Sequence, residues 1–391
     1  MGNSSKFNDN LIPKELNMIF ELVKEEDDKR LHDYVREKAH RINWQLFLEL
    51  TIHHRVYPVL AAKLQKMDET IIPAQIKQYI IQLYRENTFR MLHLSSEMEN
   101  VNRLLNQNQV RLLFLKGPFL GTELYGDLSL RTSGDLDLLI PIEDLMKVDK
   151  LLVDQGYQKD DYIQTVLNDW KWRHHHFTYF HPQRNVKLEV HWRLNPGPGK
   201  EPSFDALWER KKKSDQTGFP VLGNEDLFLF LVSHGARHGW SRLRWLLDID
   251  RLVKMKMDWK FLNRLLKKHH FLDIGGQAII LSSRLLGTCI PKYFHMPLKR
   301  KRPSKLAQEA IFYIERMVNL HADPIPEEVA KYHKRHLFSL MSVQQKILFM
   351  ISCLHPYPTD METLPLPKSF HLLYFPLRPF LLIWRRAKNH A

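Results

Sequence analysis

Residues 112–140, LLFLKGPFLGTELYGDLSLRTSGDLDLLI, decide the fold. One apolar run ends at Lys116 and Gly117, and a second carries Asp135 and Asp137. Because alternate residues of a strand point to opposite faces, the two aspartates share one face of a predicted strand. Two carboxylates at such a short distance repel each other unless a cation lies between them, and Mg²⁺ prefers such oxygen ligands. The stretch predicts a Mg²⁺ (or Mn²⁺) site; a solvent-facing strand edge is the alternative.

A phosphate site is predicted where the first apolar run ends. VRLLFLKG is typical of a buried strand that ends on Gly117, and PFLGTELYGDL is typical of a helix with Pro118 in its first turn. Free backbone N–H groups and the helix dipole converge at the start of such a helix, and both attract anions. Gly117 is therefore a candidate nucleotide-binding residue.

A third carboxylate is predicted further along the chain. The stretch NVKLEVHW, residues 185–192, alternates polar and apolar residues. This pattern places Lys187, Glu189 and His191 on one face of a strand and Leu188 and Val190 on the other. Glu189 is the candidate that joins Asp135 and Asp137 in catalysis and metal binding.

These residues resemble a known family. A glycine after a strand, an Asp-x-Asp on the next strand and a later acidic residue are similar to the nucleotidyltransferase fold of DNA polymerase β and kanamycin nucleotidyltransferase. LKGPFLGTELYGDLSLRTSGDLDLLI followed by KLEVHWRL resembles more closely a poorly characterised bacterial nucleotidyltransferase family. The resemblance covers roughly residues 40–260. One departure is Pro118, which stands where the wider superfamily has a second glycine or a serine.

The resemblance implies a function and a binding mode. Lys116 and Arg131 would make the phosphate contacts that the missing serine cannot make, although 17 residues separate Gly117 from Asp135. The implied enzyme is a metal-dependent nucleotidyltransferase that transfers a nucleotidyl group from a nucleoside triphosphate to an unknown acceptor. Similar proteins occur beside capsule and ribosomal-peptide biosynthetic clusters, so a nucleotide-sugar donor and a modified peptide or sugar acceptor are an alternative. A non-catalytic nucleotide- or RNA-binding protein is the third interpretation.

Composition sets wider limits. The 391 residues carry a formal net charge of +14, which favours polyanionic partners. Cys289 and Cys353 have no metal-ligand spacing and predict buried free thiols in a cytoplasmic protein. Residues 1–10 have no apolar core, so they predict no secretory signal. No window predicts a transmembrane segment, and the aromatic C-terminal tail, residues 370–386, predicts a docking segment or weak contact with a membrane surface.

The predicted fold class is α+β, a mixed sheet of the nucleotidyltransferase fold between helical regions. Residues 1–108 are predicted as an N-terminal helical region and residues 109–195 as the nucleotidyltransferase core. Residues 196–290 follow a Pro- and Gly-rich boundary and are predicted as a helical domain that walls the cleft. Residues 291–391 are predicted as a C-terminal helical region with a basic linker and the aromatic tail.

Histidines supply further candidates for the cleft. His174, His175 and His176 are adjacent, and because neighbouring strand residues face opposite ways they cannot all bind one ion. His176 alone is predicted either to face the cleft, where it would contact a phosphate or relay a proton, or to be a plain polar strand residue. His191, His234, His238 and Asp248 are the other candidates for the cleft, with core packing as the alternative for the last three. Arg244 is predicted to pair with Asp248 along a helix.

Overall fold

The computed structural model of the protein describes residues 12–24, 28–67, 71–161, 163 and 165–388. The first eleven residues, where the sequence predicts no secretory signal, lie outside this part of the chain. The fold is α+β, as predicted. The strands are β1 Leu113–Lys116, β2 Leu136–Leu139, β3 Gln158–Lys159, β4 His176–His181, β5 Val186–His191, β6 Lys212–Lys213 and β7 Pro220–Val221.

Along the sequence, helices precede the strands, connect them and follow them. They are α1 Lys14–Val23, α2 Asp28–Lys38, α3 Trp44–His53, α4 Tyr57–Leu64, α5 Ala74–Gln107, α6 Pro118–Tyr125, α7 Leu145–Asp154, α8 Trp170–Arg173, α9 Phe204–Glu209, α10 Asn224–Arg237, α11 Leu243–Lys254, α12 Trp259–Lys268, α13 Leu272–Leu286, α14 His295–Leu298, α15 Lys301–Glu315, α16 Glu327–Leu340, α17 Val343–Ser352, α18 Pro358–Thr363 and α19 Tyr374–Lys388. The predicted sequence of helices, then strands and helices, then helices again is confirmed over the described residues.

The sheet is mixed, and its order is β3-β4-β5-β2-β1-β7-β6. β2 runs antiparallel to β1 and parallel to β5, while β4 and β5 form an antiparallel hairpin. The central strands carry Leu and Val on the core side, and residues such as Leu136, Leu138, Leu188 and Val190 are fully buried. The opposite face of β2 and β5 is therefore the one that presents polar side chains.

The longest described helix, α5, supports the segment that leads into β2. The side-chain amide of Asn87 on α5 donates to the backbone oxygens of Ser129 (2.8 Å) and Arg131 (3.3 Å). Nearly three turns further along, Glu97 accepts hydrogen bonds from Tyr157 (2.6 Å) and Arg184 (2.7 Å). Both buried side chains bind the helix to the sheet, because a buried polar group must find a partner.

The sheet extends beyond the predicted boundary at residue 195. β7 pairs parallel with β1 through Val221, and β6 pairs with β7, so residues from the predicted helical domain complete the sheet. These strands are two residues long, too short for an alternating pattern to reveal them. The remainder of the segment, α10 to α13, is helical and packs with the sheet in one continuous core.

The C-terminal third differs from the rest in its surface. The basic run near residue 300, predicted as a linker, begins α15. Helices α17 and α19 expose large apolar side chains, among them Val343, Met350, Ile383 and Trp384. Across the described residues, no helix is both long enough and apolar enough to span a membrane.

The prediction that Cys289 and Cys353 are buried is wrong. Cys289 is exposed and Cys353 is half-buried, and neither forms a disulfide. Cys289 lies just past the end of α13, where the chain leaves the core, so the apolar residues around it do not cover it.

Candidate active site

Asp137 is the centre of the polar face of the sheet. It lies in the middle of β2 and its carboxylate is completely buried. Its Oδ1 is 3.0 Å from Nζ of Lys116 on β1 and 3.1 Å from Nε2 of His191 on β5. Asp137 thus receives one partner from each neighbouring strand.

Glu189 lies beside Asp137, as the sequence predicted. β2 and β5 are parallel neighbours, and Asp137 and Glu189 are direct partners in their register. Oε2 of Glu189 is 3.6 Å from Nε2 of His191, and Oε1 is 2.6 Å from Nζ of Lys187. Lys187, which shares this face by alternation, was given no role in the sequence analysis, although its position two residues before Glu189 was a usable signal.

Asp135 stands next to this group and not inside it. The ligand atoms of Asp137, Glu189 and His191 lie within 4.8 Å of one another, a spacing that suits a metal ion, and Asp135 is outside that set. Oδ2 of Asp135 is 3.9 Å from Nζ of Lys187. The physical reason is that β2 begins at Leu136, so the strand does not fix the side chain of Asp135. Its metal-binding role stays a prediction.

The carboxylates and histidines of the site are close enough to shift one another's pKa values. Removal from bulk water, and then the charge of Asp137, raise the pKa of Asp135. Burial alone would raise the pKa of Glu189. The hydrogen bond from His191 and the nearby His176 outweigh burial and hold that pKa well below its usual range. Burial lowers the pKa of His191, but its hydrogen bonds with Asp137 and Glu189 outweigh it and raise the pKa.

One oxygen of the site lacks a partner. Oδ2 of Asp137 is buried and makes no hydrogen bond with any residue that the structure describes. A buried carboxylate oxygen without a partner costs free energy, and a divalent cation is the partner that suits it. The residues present therefore fit the Mg²⁺ or Mn²⁺ ion that the sequence predicts.

Gly117 forms the turn between β1 and α6. Its φ of 128° lies in the region that favours glycine, and a Cβ there would approach Cδ2 of Leu136 to 3.3 Å. The helix begins at Pro118, as predicted. Lys116, directly before the turn, has a side chain that is 12% exposed, so its ammonium group is largely covered where it pairs with the carboxylate of Asp137.

Arg131 is placed differently from the prediction. Its guanidinium is 1% exposed and binds both oxygens of Asp248 on α11, with Nη2 2.9 Å from Oδ2. The hydroxyl of Tyr125 donates to the same carboxylate at 2.9 Å. With all of these bonds made inside the core, neither Arg131 nor Asp248 faces the cleft. Arg244, predicted to pair with Asp248, instead donates to the backbone oxygen and the hydroxyl of Thr132.

Helix α10 faces the carboxylates with basic and aromatic side chains. The rings of His234 and His238 are 4.6 Å apart, and each packs 5.4 Å from Trp245 of α11. Burial, and then the charge of Lys116 for His234 and of Arg237 for His238, hold both histidine pKa values well below the usual range. Both rings are therefore neutral at pH 7, and both lie close enough to Lys116 for its charge to lower their pKa values.

Arg237 was missed by the sequence analysis. Burial lowers its pKa, and the charges of Glu189, Glu201 and Asp137 act against that shift. Its Nη1 is buried without a hydrogen-bond partner among the described residues. A pattern search for histidines passes over a single arginine within a helix, because nothing in the local sequence shows which sheet face it meets.

Arg237 also lines a cavity of about 360 Å³. Leu337, Leu340 and Met341 form one apolar wall, and Trp172 with residues 195–201 forms the other. The cavity lining includes none of Lys116, Asp135, Asp137 and Glu189, and Arg237 is the lining residue on which the charges of Glu189 and Asp137 act. The volume is within the range of small-molecule sites.

Comparison with known proteins agrees with this geometry. Residues 40–287 match a family described as uncharacterised nucleotidyltransferases. The chain belongs to this family. Membership of the family makes the protein a nucleotidyltransferase-like transferase, which is what its motif residues predicted.

Solved structures add a more distant likeness. MenT4, a nucleotidyltransferase toxin from Mycobacterium tuberculosis H37Rv, aligns with 67% of this chain and 99% of its own length, at 17% identity and a TM-score of 0.29. No curated protein sequence matches the chain.

Proposed function

We propose that this nucleotidyltransferase-family protein transfers a nucleotidyl group from a nucleoside triphosphate to a small acceptor, in a reaction that depends on a divalent metal. The observation that carries the proposal is the buried Asp137, in register with Glu189 and with one oxygen that has no partner in the described part of the chain. Asp135, Asp137 and Glu189 would hold Mg²⁺ or Mn²⁺. The ion would supply positive charge against the phosphate oxygens.

The chain's own residues divide the remaining work. Lys116 and the turn at Gly117 bind the triphosphate, because the ammonium group pairs with Asp137 and directly precedes the turn that starts α6. An acceptor oxygen forms a bond to the α-phosphorus, the bond to the bridging oxygen breaks, and pyrophosphate leaves with the electron pair. The acceptor proton passes to solvent, and Nε2 of His176, 3.9 Å from Glu189, contacts a phosphate oxygen.

The acceptor is proposed to enter from the cavity beside Arg237. This cavity adjoins the carboxylates through Arg237, because the charges of Glu189 and Asp137 act on that side chain. Its lining is mostly apolar, and Nη1 of Arg237 and Nη2 of Arg173 are buried donors without a hydrogen-bond partner among the described residues. An acceptor with an apolar body and a polar or anionic group, such as a modified peptide, fits these walls better than an unmodified sugar.

The test is transfer from each nucleoside triphosphate labelled at the α-phosphate, and from labelled nucleotide-sugars, with Mg²⁺ or Mn²⁺ and a cell extract as the source of acceptor. Mass analysis identifies the compound that gains mass. We expect Asp137→Asn and Glu189→Gln to lose transfer by about 100-fold or more, the scale of removing a transition-state electrostatic contact. Glu143→Gln, an exposed residue four positions after the end of β2, is the matched control and should retain activity.

The outcomes separate the alternatives. Gain of a sugar mass from the nucleotide-sugar would replace nucleotidyl transfer by glycosyl or sugar-phosphate transfer. Full activity in both carboxylate variants would contradict the proposal of a metal-dependent reaction. Met341→Trp narrows the cavity from the residue just after α16. It should raise the acceptor KM and leave nucleotide binding unchanged, whereas an equal loss of both would show that the acceptor binds elsewhere.

A further inference from the structure

Three imidazole rings converge at the edge of the site, and the proposed reaction does not need all of them. His175, His176 and His191 each offer one ring nitrogen, and the three nitrogens lie within 4.8 Å of one another. Nε2 of His175 is 3.2 Å from Nδ1 of His176. The ring centres are 4.4 Å (His175–His176), 5.2 Å (His175–His191) and 4.9 Å (His176–His191) apart.

The chain brings these rings together by two means. His176 begins β4 and is the direct partner of His191 at the end of β5, so their side chains share one face. His175 precedes the strand, and the alternation of strand residues does not govern its direction. The sequence argument that neighbouring strand residues face opposite ways does not apply to His174 and His175, which precede β4, and it did not consider His191 from the next strand.

We propose that His175, His176 and His191 form a binding site for a transition-metal ion of the Zn²⁺ class, separate from the carboxylate site. Imidazole nitrogens suit Zn²⁺, Co²⁺ and Ni²⁺, whereas Mg²⁺ prefers oxygen. Zn–N bonds of about 2.0–2.1 Å in a tetrahedral site place ligand nitrogens roughly 3.3–3.4 Å apart. The 3.2 Å between His175 and His176 is close to that spacing.

A second observation points to a ligand at His191. Its Nε2 is 3.1 Å from Oδ1 of Asp137, while its Nδ1 is buried and has no hydrogen-bond partner in the described part of the chain. A carboxylate that binds one nitrogen of a histidine commonly orients the other nitrogen toward a metal ion. Asp137 is placed to do this, and Nδ1 is the nitrogen that remains for the ion.

The bound ion would act as a positioning element. It would join the start of β4 to the end of β5 and hold His191 with its Nε2 proton directed at Asp137. That proton is the donor that fixes one oxygen of Asp137 and leaves Oδ2 for the cleft. The site does not depend on nucleotidyl transfer, so its test can fail or succeed independently of the proposed function.

The experiment is a Co²⁺ titration of the untagged full-length protein after treatment with a chelator, followed by visible absorption. We expect one Co²⁺ per chain, with the intense d–d bands of a four- or five-coordinate nitrogen site. His175→Ala and His176→Ala should each weaken binding by at least about tenfold. Changes to the partners of a metal ligand already cost about 10- to 100-fold, and loss of the ligand itself should cost no less. Circular dichroism confirms that each variant is folded.

Matched controls lie in the same segment and in the neighbouring site. His174→Ala removes the adjacent histidine outside the cluster and should bind Co²⁺ as the parent does. Asp135→Asn should also retain Co²⁺, and a large excess of Mg²⁺ should not displace it. The absence of stoichiometric Co²⁺ binding, an equal loss in His174→Ala, or displacement by Mg²⁺ would each overturn the proposal, the last by showing that the ion occupies the carboxylates.

Discussion

Two buried ion pairs differ in how completely their atoms are satisfied. Arg131 and Asp248 are both enclosed, joined through two nitrogens and two oxygens, and joined also by Tyr125. Lys116 and Asp137 share one contact of 3.0 Å, the side chain of Lys116 is 12% exposed, and Oδ2 of Asp137 has no partner among the described residues. A pair that satisfies all of its hydrogen-bonding groups serves the fold, whereas a pair that leaves a buried oxygen unpaired is prepared for a ligand.

The largest expected effect is on stability, at the satisfied pair. Asp248→Ala leaves the Arg131 charge buried without its partner and should lower the free energy of unfolding by about 3–5 kcal/mol. Urea denaturation of the metal-free protein measures it. Glu327→Ala breaks an exposed pair with Lys331 and should cost less than about 1 kcal/mol. Similar losses in the two variants would mean that the enclosed pair has no special structural role.

A smaller effect is expected at the incomplete pair, and in binding rather than in folding. Lys116→Ala should weaken nucleotide binding by about 1.5–3 kcal/mol, the range of a hydrogen bond to a charged group. Asp137 keeps His191 as a partner in this variant, so the loss of stability should be smaller than in Asp248→Ala. Nucleotide titration at two salt concentrations measures the effect.

The control for Lys116 tests whether a local pocket exists. Lys299 and Lys301 are exposed at the start of α15, and replacing both by alanine should change nucleotide affinity little. If the double variant lost as much affinity as Lys116→Ala, with a steep dependence on salt in both, binding would be a property of the whole basic surface. The distinction between the two ion pairs would then have no functional meaning.

The smallest effect is expected at Asp135, where charge repulsion should be visible without metal. Because the folded-state pKa of Asp135 is raised, the folded protein binds more protons than the unfolded chain above about pH 4, and stability falls as pH rises through the raised pKa. Asp135→Asn removes this loss. At pH 8 without divalent ions its melting temperature should equal or exceed that of the parent, and the difference should shrink toward pH 4. A lower melting temperature at pH 8 would contradict the repulsion.

Added metal sharpens the same comparison. Mg²⁺ should raise the melting temperature of the parent, because an ion that binds only the folded state stabilises it. The rise should be smaller in Asp135→Asn if that carboxylate contributes to the ion. An identical rise would restrict the ion to Asp137 and Glu189.

Local pattern was sufficient where the chain itself sets the geometry. Alternation placed Asp137 and Glu189 on polar faces of their strands, and the glycine before a proline predicted the turn at Gly117 and the start of α6. The helices before residue 108 were predicted from three- and four-residue spacing. These features depend on backbone periods of 2.0 and 3.6 residues, which the sequence displays directly.

Tertiary structure decided what each charged side chain meets. The family resemblance placed Arg131 at a phosphate and helix spacing placed Arg244 beside Asp248, but the fold enclosed Arg131 with Asp248 and turned Arg244 to Thr132. It also brought Arg237 to the carboxylates, and His191 to His175 and His176. Each of these contacts joins separate strands or helices, and a period within one element holds no information about the side chains of another.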